Sequence, residues 1–178
     1  MPAPISVELR AHDPAWREQA ASEIARIAPA FGSALLAIHH IGSTAIPGIR
    51  AKPILDLMPV VEAPGALNSP KTNLEALGYV WWGELGMPGR RYCTLSDAAT
   101  GLRLVQLHCF ATGTPEIERH LAFRDYLRAH SAIAAEYDLE KVRCAALHPA
   151  DSHAYNDCKN DWIRRVELDA LEFQRRQK

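Results

Sequence analysis

Apolar residues recur along the first third of the chain with two different periods. After Asp13 and Pro14 they recur at helical spacing as far as Phe31, which predicts a first helix that opens at Asp13 with proline at its first position. Two apolar runs follow, SALLAIHHIG and PILDLMPVV, and each predicts a β-strand. Pro59 lies inside the second run, and because proline cannot donate to a ladder, it predicts an edge strand or a bulge there.

In the remaining segments the apolar residues again follow either a strand period or a helix period. SPKTNLEALG predicts a short helix that stops at Gly78, and three further strands are predicted in YVWWG, RRYCTLS and GLRLVQLHCF, the last two joined by the hairpin-like loop DAATG. After Phe110 the period is helical, in TPEIERHLAFRDYLRAH, in SAIAAEYDLEKVRCAAL and in a tail from Asp151 to about Arg176. Strands grouped before helices are typical of an α+β (mixed α/β) fold and not of an alternating parallel one.

Composition and charge narrow the class of protein. The 178 residues suit a single domain, sheet-rich over about 1–112 and helical over about 113–178. A net charge of -1 without a long basic run disfavours a nucleic-acid surface. The amino terminus lacks a signal-peptide pattern and no apolar run is long enough for a membrane span, which predicts a cytoplasmic protein. None of the four cysteines forms a C-x-x-C pair, so all are interpreted as reduced residues of the core or surface.

One charged residue interrupts the second apolar strand. Side chains alternate along a strand, so Ile54, Asp56 and Met58 point one way while Leu55 and Leu57 point the other. A carboxylate there must be hydrogen-bonded, paired or bound to a cation, because burying an unpaired charge costs free energy. Two interpretations remain open: Asp56 is a structural residue that caps a nearby loop, or it is a ligand at a metal or phosphate site.

The turn before that strand favours the second interpretation. In IGSTAIPG, Gly42 permits a tight turn, and successive N–H groups with the Ser43 and Thr44 hydroxyls would form an anion cradle. A Gly-Ser turn followed by an acid on the next strand suits phosphoryl or nucleotidyl transfer, with Asp56 holding a Mg²⁺ that bridges phosphates. Lys52, just before the strand, is either a phosphate partner or a solvated loop lysine.

The stretch HIGSTAIPGIRAKPILDL resembles the signature of the GrpB family, a nucleotidyltransferase-like group. The resemblance extends over almost the whole chain and includes RRYCTL, LHCF, HLAFRDYLRAH and AYNDCKNDWIRRV. It implies a nucleotidyltransferase-like fold, in which a mixed β-sheet is flanked by helices and extended by a helical C-terminal third. The resemblance does not imply a particular substrate.

Met58 departs from the wider nucleotidyltransferase pattern. That pattern places Asp-x-Asp or Asp-x-Glu on the strand after the Gly-Ser turn and a third acid on a later strand, and these acids bind two divalent ions. The chain supplies Asp56 but has the Met58 thioether in place of the second carboxylate, and Mg²⁺ prefers hard oxygen ligands. The resemblance therefore implies one Mg²⁺ or Mn²⁺ at Asp56, or none.

Polar residues also interrupt the strand LRLVQLHCF. Gln106 and His108 share one face of it and would line the same cavity as Asp56 if the two strands are neighbours. His108 matches an LH motif of the family and could act as a general base, a phosphate partner or a metal ligand, or be structural. His40 matches the family signature and either supports the turn or contacts substrate, whereas His39 is expected on the opposite face. No H-x-x-x-H or C-x-x-C spacing supports a zinc site.

Three basic residues farther along are candidates for a phosphate or carboxylate clamp. Arg91 begins a strand that matches the family's R-Y/F pattern, and Lys159 matches a lysine of its AY…K helix. Arg124 and Asp125 are not expected to share a helix face, so Arg124 should point to the cleft or to another carboxylate. For all three, a surface or inter-helix ion pair is the alternative interpretation.

Two hypotheses of different classes follow. In the first, the chain is a nucleotidyltransferase-like enzyme that binds a nucleotide triphosphate with Mg²⁺ and transfers a nucleotidyl or phosphoryl group to a small acceptor, with His108 helping to deprotonate it. In the second, the fold is kept without the chemistry, as a module that binds a nucleotide or a phosphorylated metabolite. Asp56, Ser43 and Lys52 favour the first hypothesis and Met58 favours the second. Fold similarity alone cannot decide between them.

Overall fold

The computed structural model describes residues 2–177, and the chain forms two compact units. The sheet unit comprises residues 14–42 and 54–117, and the helical unit comprises residues 2–13, residues 43–53 and the chain from 118 onward. The segments 2–13 and 43–53 thus belong with the late helices. The mixed α+β prediction is confirmed.

A five-stranded mixed sheet is the centre of the sheet unit. Its strands are ordered β1-β2-β5-β4-β3, with β2 and β5 parallel and the other neighbours antiparallel. The elements of the unit in chain order are α1 (Ala15–Phe31), β1 (Leu35–Ile41), β2 (Leu55–Val61), α2 (Lys71–Ala76), β3 (Val80–Gly83), β4 (Arg91–Ser96) and β5 (Arg103–Ala111). Helix α1 packs against β1 and β2, where Ile27 and Phe31 are buried.

Pro59 does not lie on an edge strand, so the first of its two predicted alternatives, an edge strand, is wrong. β2 lies between β1 and β5, and Pro59 is paired in register with Ile38 of β1. On the other side, the register with β5 matches residues 55–57 and 60–61 of β2 but skips Met58 and Pro59. Because proline has no N–H to donate, an interior strand can accept it only where the ladder is interrupted in this way.

Three helices dominate the helical unit: α3 (Pro115–Ala129), whose first turn lies in the sheet unit, α4 (Ser131–Leu147) and α5 (Ser152–Arg175). Asp151 caps α5, since its Oδ1 accepts hydrogen bonds from the backbone N–H groups of His153 (2.8 Å) and Ala154 (3.1 Å). The core of the unit joins the loop 43–53 to the helices through a cluster that includes Ile46, Ile49, Leu127, Ala134, Tyr137 and Val166.

Two of the four cysteines form a disulfide. Cys144 of α4 and Cys158 of α5 are bonded, with their Cα atoms 5.8 Å apart, while Cys93 and Cys109 are buried free thiols in the sheet unit. The expectation of four reduced cysteines is therefore wrong for the pair in the helices. Sequence spacing gave no signal for this pairing, because the contact depends on how α4 and α5 pack.

Within residues 2–177, no helix combines the length and apolar character that a membrane span requires.

Candidate functional site

Asp56 and His108 meet on one face of the sheet. β2 and β5 are parallel neighbours, and Asp56 lies in register with Gln106, which places His108 one pleat farther along on the same face. The Asp56 Oδ1 atom is 3.5 Å from His108 Nε2. Their side chains are 28% and 16% exposed, so both are reachable from solvent. A carboxylate beside an imidazole can orient the ring, stabilise its protonated form and take part in proton transfer.

Gly42 passes directly beside this carboxylate. It ends β1 with φ of 70°, a left-handed conformation that favours glycine. A Cβ atom added at Gly42 would lie 2.4 Å from Asp56 Oδ2 and 3.0 Å from Asp56 Cβ. The position therefore needs glycine for two reasons, the backbone conformation and the approach of the chain to Asp56. The predicted layout of a glycine turn and an acid on the next strand thus corresponds to a direct contact.

Tyr92 adjoins His108 and two arginines adjoin Tyr92, and the sequence analysis assigned none of the three to the site. Tyr92 of β4 lies in register with His108, and their ring centroids are 5.2 Å apart. Burial and then the charge of Asp56 raise the pKa of Tyr92 to about 12, while Arg103 and Arg90 act in the opposite direction. The Arg90 guanidinium lies 5.0 Å from the centre of the Tyr92 ring. A hairpin register for DAATG would have revealed Tyr92, because alternation then places it on the His108 face.

The expected faces of the two histidines in β1 are reversed. His39 lies in register with Met58 and His40 with Leu57. His39 therefore shares the Asp56 face, and His40 lies on the opposite face. The antiparallel register of β1 and β2 across the Gly42 turn decides which residues of β1 lie on each face of the sheet. A shift of one residue in that register exchanges the two faces.

Arg91 is not brought to Asp56. It lies in register with Cys109, on the face opposite His108. Its Nε donates to Asn68 Oδ1 at 2.6 Å, and its Nη1 is 3.3 Å from Glu84 Oε1. These partners correspond to the alternative interpretation of Arg91 as a member of an ion pair.

The Ser43 and Thr44 hydroxyls belong to a short 3₁₀ turn, Ser43–Ala45, at the start of a loop in the helical unit. Thr44 is buried there. The Arg128 Nε of α3 donates to the Ala45 carbonyl at 2.8 Å, which anchors the turn to a helix.

The rest of this loop is anchored to α4. The Asp138 carboxylate accepts a hydrogen bond from the Arg50 backbone N–H at 2.6 Å and pairs with the Arg50 guanidinium at 2.8 Å. The buried Lys141 donates to the Arg50 carbonyl. Both anchors lie one turn apart on the same helix, so α4 fixes the segment that leads into Lys52.

Arg124 pairs with its own neighbour, which corrects the expected geometry. Its Nε and Nη2 atoms donate to the two Asp125 carboxylate oxygens at 2.7 Å and 2.9 Å. The expectation considered only where the Cβ atoms point, whereas the long arginine side chain reaches around the helix. The two candidate lysines lie near the same aromatic ring. Lys52 Nζ and Lys159 Nζ are 5.3 Å and 4.6 Å from the centre of the Tyr155 ring.

Comparison with known proteins assigns the family. A family model described as GrpB protein matches residues 6–168. The chain belongs to the GrpB family. It is 40% identical over 169 residues to the UPF0157 protein YqkA of Bacillus subtilis (strain 168), a match that covers 95% of this chain and 48% of YqkA. The chain thus spans about half the length of that curated relative.

Solved structures at two levels of sequence identity share this fold. A crystal structure of the conserved protein GrpB from Enterococcus faecalis matches with a TM-score of 0.86 and 34% identity, over 94% of this chain and 99% of that one. A structure of the Cid1 poly(U) polymerase with MgGTP bound matches with a TM-score of 0.54 and 15% identity, over 79% of this chain and 45% of that one. The GrpB fold is therefore nucleotidyltransferase-like.

The donor atoms around Asp56 do not fit a pair of divalent ions. In this GrpB-family chain, Met58 shares the Asp56 face but is 0% exposed, so its thioether is packed in the core and offers no ligand. Across the described residues, no group of three potential metal ligands within 4.8 Å of one another includes Asp56. One carboxylate with an imidazole is a poor set for Mg²⁺, which prefers oxygen ligands and binds here at most as a single ion.

Proposed function

We propose that this GrpB-family chain binds a nucleotide or another phosphorylated small molecule beside Asp56, as a binding module without two-metal nucleotidyl transfer. The observation that carries the proposal is the burial of Met58 at the place where a second metal-binding carboxylate is expected. A carboxylate in place of Met58 would be a buried charge in a packed core, which costs free energy. The packing of the sheet therefore disfavours a second acid at this position.

The surroundings of Asp56 support a phosphorylated ligand. Arg90 and Arg103 both act on Tyr92, the tyrosine whose ring centroid lies 5.2 Å from that of His108, so positive charge lies around that tyrosine. Guanidinium groups bind phosphate in a bidentate manner and stay charged at any physiological pH. The backbone at Gly42 passes directly against the Asp56 carboxylate, so the glycine turn and the acid lie at one place.

Asp56 and His108 then have binding roles. We expect Asp56 to accept hydrogen bonds from hydroxyl groups of the ligand and His108 to be oriented by Asp56 toward a phosphate oxygen, as a cation when protonated. Neither role needs a metal ion. The nucleotidyltransferase-like fold supports a nucleotide as the first ligand class to test, as an argument from fold analogy.

Metal-dependent transfer of a nucleotidyl or phosphoryl group to a small acceptor is the second candidate. The 28% exposure of the Asp56 side chain favours it, because a reachable carboxylate could hold one Mg²⁺ or Mn²⁺. Asp56 would be the carboxylate ligand of that ion, and His108 would accept a proton from the acceptor. This candidate requires a divalent ion for binding, whereas the binding module does not.

A thermal-shift panel separates the two. Nucleoside triphosphates, nucleoside diphosphates and coenzyme A are each tested with Mg²⁺, with Mn²⁺ and with a chelator, on the wild type, Asp56→Asn and the exposed-site control Glu75→Gln. A ligand at about 100 times its dissociation constant stabilises the fold by roughly 2.7 kcal/mol, which is about 5–10 °C for a chain of this size.

The binding module predicts a shift in the presence of chelator that is reduced in Asp56→Asn and kept in Glu75→Gln. A shift that requires both nucleotide and divalent ion, together with product in an acceptor screen, would replace the first proposal by the second. A panel without any shift would contradict both.

A further inference from the structure

Three side-chain atoms of helices α4 and α5 converge on one point in the helical unit. The Arg143 Nη2 atom lies 2.7 Å from Glu140 Oε1. The same nitrogen lies 3.5 Å from Cys144 Sγ and 3.4 Å from Cys158 Sγ. One positively charged nitrogen thus contacts a carboxylate oxygen and both sulfurs of the disulfide. The three atoms therefore face a common point, and a cation already lies there.

The point can be reached from solvent. Glu140 lies one helical turn before Arg143 and Cys144, so its side chain neighbours both, and Cys158 comes from α5. Cys144 is buried and Cys158 is half-buried. The side chain of Arg143 is 55% exposed. A solute therefore approaches the two sulfurs and the carboxylate from the side of the arginine.

The three atoms suit a zinc ion once the disulfide is reduced. Thiolate and carboxylate are both zinc ligands, and a site with three protein ligands takes a water molecule in the fourth position. Glu140 Oε1 and Cys144 Sγ are 3.6 Å apart. That is about the ligand-to-ligand distance of a tetrahedral site with Zn–S near 2.3 Å and Zn–O near 2.1 Å. One potential ligand atom from each of the three residues lies within 4.8 Å of the other two.

Arg143 leaves room for this exchange. Its Nε and Nη2 atoms donate to the two Glu140 carboxylate oxygens at 2.8 Å and 2.7 Å. Exposed ion pairs along a helix contribute little to stability, so a metal ion that binds the carboxylate can displace the arginine. Reduction adds two ionisable thiols beside Glu140, and three negative ligands favour a divalent ion over a single guanidinium charge.

We propose that the reduced chain binds Zn²⁺ through Cys144, Cys158 and Glu140, and that the disulfide with Arg143 beside it is the metal-free state of the same site. Mg²⁺ is not taken, because it prefers hard oxygen ligands to thiolates. All residues of the site belong to the helical unit, and the site does not rest on the function proposed for Asp56.

The two states are related by a two-electron exchange with small thiols. A small thiolate attacks the half-buried Cys158 sulfur, and the bond to Cys144 breaks with its electron pair on Cys144. A second small thiolate attacks the small sulfur of the mixed disulfide, so Cys158 leaves as a thiolate. The two small thiols become one small disulfide, their two protons pass to solvent, and Zn²⁺ holds both protein thiolates. A small disulfide reverses each step and releases the ion.

Helices α4 and α5 are cross-linked in both states. The disulfide joins them in one state, and the zinc ion joins Glu140 and Cys144 of α4 to Cys158 of α5 in the other. Because a metal that binds folded ligands stabilises the fold, Zn²⁺ should offset part of the stability that is lost on reduction.

Titration of Co²⁺ into the full chain, reduced with a phosphine in the absence of oxygen, tests the site. Co²⁺ replaces Zn²⁺ in tetrahedral sites, where it gives intense visible absorption and a charge-transfer band from its thiolate ligands. We expect both features in the reduced wild type, their loss when Zn²⁺ is added and their persistence when Mg²⁺ is added. The oxidised wild type should show neither feature.

Variants identify the ligands. Cys158→Ser should weaken Co²⁺ binding at least about 100-fold, because changes that only disturb the orientation of a ligand already cost about 10–100-fold. Glu140→Gln should weaken it by about tenfold or more. The matched control Glu136→Gln, an exposed glutamate one turn earlier on α4, should bind like the wild type. Arg143→Gln should bind at least as tightly as the wild type, because the competing cation is removed.

The proposal is overturned if the reduced wild type shows no thiolate band, or if the band persists in Cys158→Ser, which would place the ion at the buried thiols of Cys93 and Cys109. Equal affinities of Glu140→Gln and Glu136→Gln would overturn it as well. Melting gives a second readout, since Zn²⁺ should raise the melting temperature of the reduced wild type and not that of the oxidised chain. Glu140→Gln keeps both cysteines, so it stays informative if Cys158→Ser fails to fold.

Discussion

Gly42 contacts the side chain of Asp56 so closely that the two residues act as one structural element. A methyl group at Gly42 would lie 2.4 Å from Asp56 Oδ2. The left-handed φ of 70° adds a second requirement for glycine. The orientation of the Asp56 carboxylate therefore depends on a residue that has no side chain.

Gly42→Ala tests this dependence against Gly48→Ala. Both glycines have positive φ, but a Cβ at Gly48 meets nothing within 4 Å. We expect Gly48→Ala to lower the free energy of unfolding by about 1–2 kcal/mol, which is the left-handed strain alone. Gly42→Ala should cost about 2–5 kcal/mol, because the displacement of Asp56 adds an overpacking penalty. Denaturant unfolding of the two variants measures the difference, and equal losses would show that the carboxylate moves without cost.

Met58 offers a test of whether the second acid can be restored. Because Met58 is 0% exposed, Met58→Leu should cost less than about 1.5 kcal/mol, as a volume-conserving change in a core. Met58→Asp should lower the free energy of unfolding by at least about 3 kcal/mol, because it buries a carboxylate. Thermal unfolding with and without Mg²⁺ checks this. A stable Met58→Asp variant that Mg²⁺ stabilises further would show that the position is open to a metal.

The sequence predicted the order and type of the elements well, and it failed where a neighbour in space sets the answer. Hydrophobic period is a local property, so the strands and helices were found close to their observed bounds. The faces of His39 and His40 depend on the register with β2, which one strand does not encode. The interior position of Pro59 likewise depends on which strand pairs with β2 after a crossover.

Lys141 should make the stability of the fold depend on pH. Below about pH 7 both the folded and the unfolded chain hold its proton, and from there to 10.5 only the unfolded chain does. The folded state therefore becomes relatively more stable as the pH rises through this window, by up to about 1.4 kcal/mol per pH unit. Comparing the wild type with Lys141→Met at several pH values between these limits should show this rise only in the wild type. Lys71→Met is the matched control, and an identical slope in all three chains would contradict the lowered pKa.

The burial of Lys141 could not be foreseen from the pattern around it. The segment SAIAAEYDLEKVRCAAL is typical of a helix with an exposed charged face, and Lys141 lies among those charges. Its burial arises because the loop that holds Arg50 packs on α4 and offers the Arg50 carbonyl. The candidate site of the sheet unit is likewise only partly visible in sequence: Asp56, His108 and Gly42 stand out as polar or glycine interruptions, whereas Tyr92 becomes notable through its partners.

The disulfide predicts a specific thiol count. The unfolded, unreduced chain should show two reactive thiols, from Cys93 and Cys109, and four after reduction. Because the bonded cysteines are 14 residues apart in sequence, the loop-entropy model gives a loss of about 3 kcal/mol on reduction. Thiol titration and melting with and without reductant measure both. Four reactive thiols in the absence of reductant would show that α4 and α5 are held by packing alone.

The parallel pairing of β2 with β5 sets when Asp56 and His108 can meet during folding. β4 and β5 close a short hairpin, whereas β2 and β5 are neighbours in the sheet but are separated along the chain by α2, β3 and β4. Long closures cost more chain entropy and form more slowly than local ones. We expect the carboxylate and the imidazole to come together among the last contacts of the sheet, so a molecule that binds them would select chains whose folding is complete.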